Sequence, residues 1–150
     1  MKSKWLITIV GTYLIAFATN LFPSLKYPDS MMNIFHLSIT LLFFFGFMIF
    51  INKAPYSVKF YKGIKLFLLL GSLAGVIVFV SGMIEGALSN SFISDLITAI
   101  QYPFYFLFIT PLFGFNYLFG LNYQLYSIIM SVVYLILFTF LIKVKKSSTQ

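Results

Sequence analysis

The sequence lacks cysteine and arginine and has few charged residues of any kind. Its 150 residues include no Cys, three acidic residues, one His and ten cationic residues, all of which are Lys. The absence of Cys excludes disulfide bonds and thiolate chemistry. The absence of Arg removes the planar side chain that binds phosphate through paired hydrogen bonds, so nucleic acid is not an expected partner despite the net charge of +7.

The shortage of charge also excludes a soluble domain. Charged residues make up 9% of the chain, whereas soluble domains carry roughly 25% because their surface must be hydrated. Hydrophobic residues make up 61%, aromatic residues 21%, and the mean hydropathy is +1.00. We therefore expect the lipid bilayer to be the partner that surrounds most of the chain.

Four apolar stretches, each free of Asp, Glu and Lys, are long enough to cross a bilayer as helices: 5–21, 31–51, 66–84 and 123–142. About 20 helical residues span the ~30 Å hydrocarbon layer. We predict an all-α integral membrane protein, with residues 1–150 forming a single polytopic domain. We expect a short polar turn between Pro23 and Pro28, a lysine-rich connection over 52–65 and a polar tail over 143–150.

A fifth stretch, 96–120, is also free of charge, so hydropathy alone does not fix the number of crossings. The lysines favour four. If four stretches cross and this one does not, nine of the ten lysines share one side and only Lys26 lies opposite. If all five cross, the division is six against four. Because lysine is enriched on the cytoplasmic side, we predict four spans with both chain ends in the cytoplasm.

The region 92–120 is predicted to be a re-entrant or interfacial segment on the outer side, which does not cross the membrane. Pro103 and Pro111 interrupt it, and Gly114 and Gly120 weaken it further as a helix. Non-helical backbone at this depth must be covered by protein or line a wet cavity. The many aromatic residues of this region have two interpretations, a belt at the headgroup level or a pocket that binds lipid or ligand.

The N-terminal stretch has a second interpretation. Lys2 and Lys4, a short apolar run and the small residues Ala16 and Ala18 resemble a secretory signal with its cleavage site. We expect the helix to remain uncleaved. Cleavage would leave three helices without changing the orientation of the later ones.

The sequence offers little for catalysis. One His cannot supply a zinc site, and the two Asp residues lie in connections rather than deep in helices. We therefore expect a protein that is not an enzyme and holds no metal or cofactor.

Polar residues do gather near the predicted outer face. Asn33, His36 and Thr40 share one face of the second helix by their spacing, Glu85 ends the third helix, and Asp95 opens the region that follows. We name these five residues as a candidate polar or ion site, with His36 and Glu85 as a pair that could relay a proton or cation. The alternative is that both lie shallow enough to reach interfacial water.

Two further patterns indicate surfaces. Gly71, Gly75, Gly82 and Gly86 form a stripe that lets another helix approach closely; that helix belongs to this chain, to a second copy or to another protein. Lys53, Lys59, Lys62 and Lys65, interleaved with aromatic residues, either bind an anionic leaflet or only fix the orientation.

These patterns leave two leading functions. The first is a non-enzymatic accessory, regulatory or immunity-type subunit that acts by helix packing in a membrane complex. The second is a small homo-oligomeric transporter or channel that uses the outer polar site. A lipid-modifying enzyme is a third, for which no catalytic cluster is found. Frequent Phe, Ile, Lys and Asn without Arg are typical of an AT-rich genome, which suggests a bacterial cytoplasmic membrane.

Overall fold

The computed structural model describes residues 2–27, 32–53, 58–87 and 91–147, and their side chains for 6–27, 32–53, 60–85 and 92–145. This part of the chain is almost entirely helical and contains no β-strand, so the all-α prediction is confirmed. In order, the elements are α1 (Lys2–Lys26), α2 (Ile34–Lys53), α3 (Val58–Ala87), α4 (Ser91–Phe104), a π-helical turn (Tyr105–Ile109), a 3₁₀ turn (Thr110–Phe115), α5 (Asn116–Phe119) and α6 (Tyr123–Ser147). We call residues 91–119 the interior segment.

Five described segments are long and apolar enough to cross a membrane: Leu6–Lys26, Ile34–Lys53, Phe60–Glu85, Phe92–Phe119 and Tyr123–Lys145. Apolar side chains occur on the exposed as well as the buried faces; in α2, Phe43 and Phe47 are buried whereas Leu42 and Phe45 are exposed. A helix that is apolar on all sides suits lipid. These helices are compatible with a multi-pass membrane protein.

The helices α1, α2, α3 and α6 pack against one another in alternating directions. Asn20 contacts Thr40 across α1 and α2, and the rings of Phe50 and Phe60 lie 5.7 Å apart where α2 ends and α3 begins. As a result, the start of α1, the end of α2 and the start of α3 lie at one end of the bundle.

The end of α6 joins this same end of the bundle. The Lys145 Nζ atom lies 3.8 Å from the centre of the Tyr61 ring, and Lys65 lies over Phe138. Lys53, Lys62 and Lys143 are also exposed here, so we call this the lysine-rich end. The side chain of Lys59 lies outside the described residues.

Helix α6 covers the glycine stripe of α3. A Cβ atom at position 71 would lie 2.6 Å from Cδ1 of Tyr134, and one at position 75 would lie 2.8 Å from Cβ of Ser131. At position 82 it would lie 2.6 Å from Cγ of Gln124. Helices α3 and α6 therefore approach each other closely along the face where α3 carries glycine. The surroundings of Gly86 lie outside the described side chains.

Several predicted helix boundaries differ from the observed ones; α6, for example, runs to Ser147 through most of the predicted polar tail. Helix α1 passes through Pro23 and ends at Lys26. Pro23 has no N–H to bond the carbonyl oxygen four residues earlier, yet the helix continues for three residues beyond it, and the Ser24 hydroxyl donates to the carbonyl of Leu21 at 2.9 Å. Helix α3 begins at Val58 rather than at residue 66, because lysine favours helix and can extend its charge to water.

Pro103 and Pro111 are predicted to cut the interior segment into pieces too short to span, with non-helical backbone in the membrane, but the described segment is one continuous helical stretch from Phe92 to Phe119. Every residue of 91–119 is helical, and the helix type changes instead. Pro103 lies at the end of α4, near the start of the π-helical turn, and Pro111 is the second residue of the 3₁₀ turn, in its first turn, where the missing N–H is not needed. Gly120 ends α5 in a left-handed conformation, with φ of 59°.

The middle of the interior segment forms the core of the bundle. Ile109, Thr110 and Phe113 are fully buried, and Leu112 and Asn116 are 1% exposed. Carbonyl groups at a change of helix type lose their regular partners, and in an apolar interior they need others. Tyrosine hydroxyls of α1 and α6 donate to them: Tyr13 to the oxygen of Leu107 (2.7 Å), Tyr134 to that of Phe108 (2.8 Å) and Tyr126 to that of Leu112.

Candidate functional site

A buried amide joins three elements at the centre of the bundle. The Asn20 side chain is fully buried, and its Nδ2 atom donates to Thr40 Oγ1 at 2.8 Å and to the carbonyl oxygen of Pro111 at 3.2 Å. One side chain thereby holds α1, α2 and the 3₁₀ turn together. Its Oδ1 atom has no hydrogen-bond partner within the described part of the chain.

Hydroxyl groups extend this contact toward the end of α1. The Tyr105 hydroxyl donates to the carbonyl oxygen of Ser24 at 3.0 Å. The Ser24 and Thr110 hydroxyls lie 3.3 Å apart, and Thr110 Oγ1 also donates to the carbonyl oxygen of Tyr105 at 3.4 Å. These groups satisfy one another's hydrogen-bonding capacity. We therefore assign them the structural role of holding the interior segment in place.

A second polar group lies where α3 ends and α4 begins. Glu85, in the last turn of α3, is partly buried. Its Oε1 atom accepts a hydrogen bond from Thr98 Oγ1 at 3.1 Å, and its Oε2 atom accepts one from Gln101 Nε2 at 3.4 Å. Gln101 is 5% exposed, yet its Oε1 atom has no hydrogen-bond partner among the described residues.

Glu85 and Gln101 line a cavity of about 150 Å³. It lies opposite the lysine-rich end of the bundle, between the end of α1, the end of α3, α4 and the start of α6. The other lining residues are Ser24, Leu25, Val78, Tyr102, Tyr105 and Tyr123. We call this space the Glu85 cavity. It combines a carboxylate, a buried amide oxygen and three tyrosines with an apolar wall.

The candidate residues from the sequence occupy three different surroundings. The Asn33 Oδ1 atom lies 2.7 Å from His36 Nδ1 and accepts the backbone N–H of Phe35, so these two residues cap the start of α2. Thr40 bonds Asn20 in the core. Glu85 lines the cavity, and Asp95 is exposed as the fifth residue of α4.

None of the hydrogen bonds among the described side chains joins His36 to Glu85. His36 is bonded to Asn33, and Glu85 to Thr98 and Gln101. The helical spacing places Asn33, His36 and Thr40 on one face of the helix. Spacing does not indicate how deeply each side chain is buried in the bundle. Asn33 lies at the exposed start of α2, and Thr40 is fully buried.

Asn20 and Gln101 were not among the candidates from the sequence. Both are amides inside otherwise apolar stretches, and polar side chains at such positions tend to face the interior of a bundle. That signal could have identified them. The residues that pair with them, Thr40 and Glu85, were candidates for other reasons.

The described side chains contain no group of three or more His, Asp or Glu residues placed to hold a metal ion. Among the described cavities, the Glu85 cavity is lined by a carboxylate and by a buried amide side chain. Comparison with protein-family models, with curated proteins and with solved structures finds no match to this chain.

Proposed function

We propose that the protein crosses the membrane four times, with both chain ends in the cytoplasm, and that the interior segment enters and leaves on the outer side. Its beginning contacts the end of α3, where Thr98 bonds Glu85. Gly120, which directly follows the segment, lies near the end of α1, since a Cβ atom at position 120 would lie 3.6 Å from the hydroxyl oxygen of Tyr27. Both contacts lie opposite the lysine-rich end, which the positive-inside rule assigns to the cytoplasm.

Within that topology we propose a non-enzymatic accessory, regulatory or immunity-type subunit of a membrane complex. The observation that supports this most is the filled interior. The space that α1, α2, α3 and α6 enclose is occupied by the middle of the interior segment, whose Ile109, Thr110 and Phe113 side chains are fully buried. Because the centre of the bundle is filled, a single chain of this kind contacts other molecules through its outer surface. The amino-acid usage described above supports the bacterial cytoplasmic membrane as its location.

Helix α1 is the surface that we propose for the partner. It is the least buried of the candidate spans, and apolar cavities of about 400 and 480 Å³ adjoin its first half. Leu14, which is 55% exposed, lines the first of these cavities. A transmembrane helix of another protein can fill such spaces, and packing of this kind drives helix association in lipid.

The test is the mass of the complex after purification in mild detergent. We expect the 17.2 kDa chain to purify with a second membrane protein in a fixed ratio, and capture of that protein to recover this chain. Leu14→Trp should reduce the recovery several-fold. Ile136→Trp, at a position on α6 that is 59% exposed, is the matched control and should leave the recovery unchanged. A monomer without partner, or equal recovery for both variants, would contradict the proposal.

The second candidate function, a homo-oligomeric transporter or channel, is favoured by the Glu85 cavity. A carboxylate in a small polar cavity near one membrane face is a feature of ion and solute pathways. A homo-oligomeric mass together with solute or ion flux in proteoliposomes, abolished by Glu85→Gln, would establish this function in place of the first.

A further inference from the structure

The groups that line the Glu85 cavity can accept hydrogen bonds that the described chain does not supply. The buried Gln101 Oε1 atom has no partner. Its amide is oriented by its Nε2 atom, which donates to Glu85; the reverse orientation would set two oxygens against each other. The Glu85 carboxylate accepts two hydrogen bonds from described side chains and has lone pairs for more.

Among the residues that line the cavity, Glu85 carries the one formal charge. Lys26, which follows the lining residue Leu25, has its Nζ atom 4.7 Å from the centre of the Phe22 ring. No lysine among the described side chains lies within ion-pair distance of Glu85, whose described partners are the neutral side chains of Thr98 and Gln101. An anion would therefore be repelled. A ligand that fits must bring positive charge and N–H or O–H donors.

The aromatic side chains that line the cavity favour an organic cation as the ligand. Tyr102, Tyr105 and Tyr123 all border the cavity, and the rings of Tyr105 and Tyr123 meet edge to face at 6.1 Å. Tyrosine rings attract organic cations and pack against their methylene groups. A bare metal ion would instead need several oxygen ligands around it. The volume of about 150 Å³ is well above the roughly 10–15 Å³ that a cavity needs to hold one water molecule.

We propose that the Glu85 cavity binds a small primary ammonium ion, R–NH₃⁺, through the Glu85 carboxylate and Gln101 Oε1. Two sources share this chemistry: a free amine, and the aminoethyl headgroup of a phospholipid. The cavity lies at an end of the bundle and Tyr102 on its border is 46% exposed, so both sources have access. This proposal does not depend on the accessory role.

The first arm of the test uses ethanolamine as the probe. We expect calorimetric titration of the full chain in lipid-free detergent to show saturable binding that is at least tenfold weaker in Glu85→Gln. Gln101→Leu should also weaken it, because it removes the unpartnered oxygen. Asp95→Asn, which removes the same charge at an exposed position of α4, is the matched control and should bind as the original chain does. Tetramethylammonium, which has no N–H group, should bind at least tenfold more weakly than ethanolamine.

The second arm uses nanodiscs of phosphatidylethanolamine or phosphatidylcholine. If the headgroup is the source, the ethanolamine lipid should raise the unfolding temperature of the original chain and of Asp95→Asn, but not that of Glu85→Gln. A response in either arm that depends on Glu85 supports the proposal, and the arm that responds identifies the source. No response in both arms would overturn it, as would equal responses from Glu85→Gln and the original chain.

Discussion

Gly75→Ile is expected to lower the free energy of unfolding by about 3 kcal/mol or more. A Cβ atom at position 75 would contact the carbonyl oxygen of Ser127 and lie 2.9 Å from the backbone nitrogen of Ser131. These are backbone atoms of α6, so the larger side chain fits only if the two helices separate. Separation would also break the hydrogen bond from Ser131 Oγ to the carbonyl oxygen of Ser72, now 2.7 Å long.

The measurement is the unfolding of the purified protein in detergent, by heat and by titration with a denaturing detergent. Gly63→Ile is the control, since a Cβ atom at position 63 of the same helix would have no atom within 4 Å. That variant should unfold as the original chain does. Equal stability of Gly75→Ile and Gly63→Ile would show that α3 and α6 do not pack as described.

Gly114→Val is expected to release the interior segment from α2, at a cost of about 3 kcal/mol. A Cβ atom at position 114 would contact Thr40 Oγ1 and the carbonyl oxygen of His36, and would lie 2.7 Å from the carbonyl carbon of His36. The 3₁₀ turn would have to move away from α2. The movement would disrupt the nearby bond from Asn20 to the carbonyl oxygen of Pro111.

Hydrogen exchange with mass spectrometry distinguishes this effect from general unfolding. In Gly114→Val the amides of 105–116 should exchange much faster, while those in the middle of α3 and α6 keep their protection. Gly46→Val is the control on α2, where an added Cβ atom would have no atom within 4 Å. Unchanged exchange over 105–116 would contradict the close contact between this segment and α2.

The apolar runs were sufficient to find the long helices, because crossing lipid requires length and hydrophobicity that few other structures need. The helix ends were harder to predict. Pro23 and the lysines from Lys59 onward looked like interruptions, but α1 continues for three residues past Pro23, and a lysine side chain reaches water from within a helix. The interior segment was recognised, but not its conversion from α to π to 3₁₀ geometry at Pro103 and Pro111.

The candidate site was less accessible to sequence reasoning. Glycine spacing defines a face of α3, yet nothing in the spacing says that α6 covers it. Likewise Glu85 stood out as a rare acid, whereas its neighbour Gln101 lies 16 positions later in the chain. Contacts of this kind depend on how the interior segment folds back against α3, which local patterns do not encode.

The central claim is that the lysine-rich end faces the cytoplasm and that an even number of crossings separates the two chain ends. Because the chain has no cysteine, single Ser→Cys changes report sidedness without background. A membrane-impermeant maleimide applied to intact cells should label Ser30→Cys, and should label Ser57→Cys and Ser148→Cys only after permeabilisation. Labelling of Ser148→Cys in intact cells, with Ser57→Cys still protected, would mean that the interior segment crosses the membrane and would contradict the account.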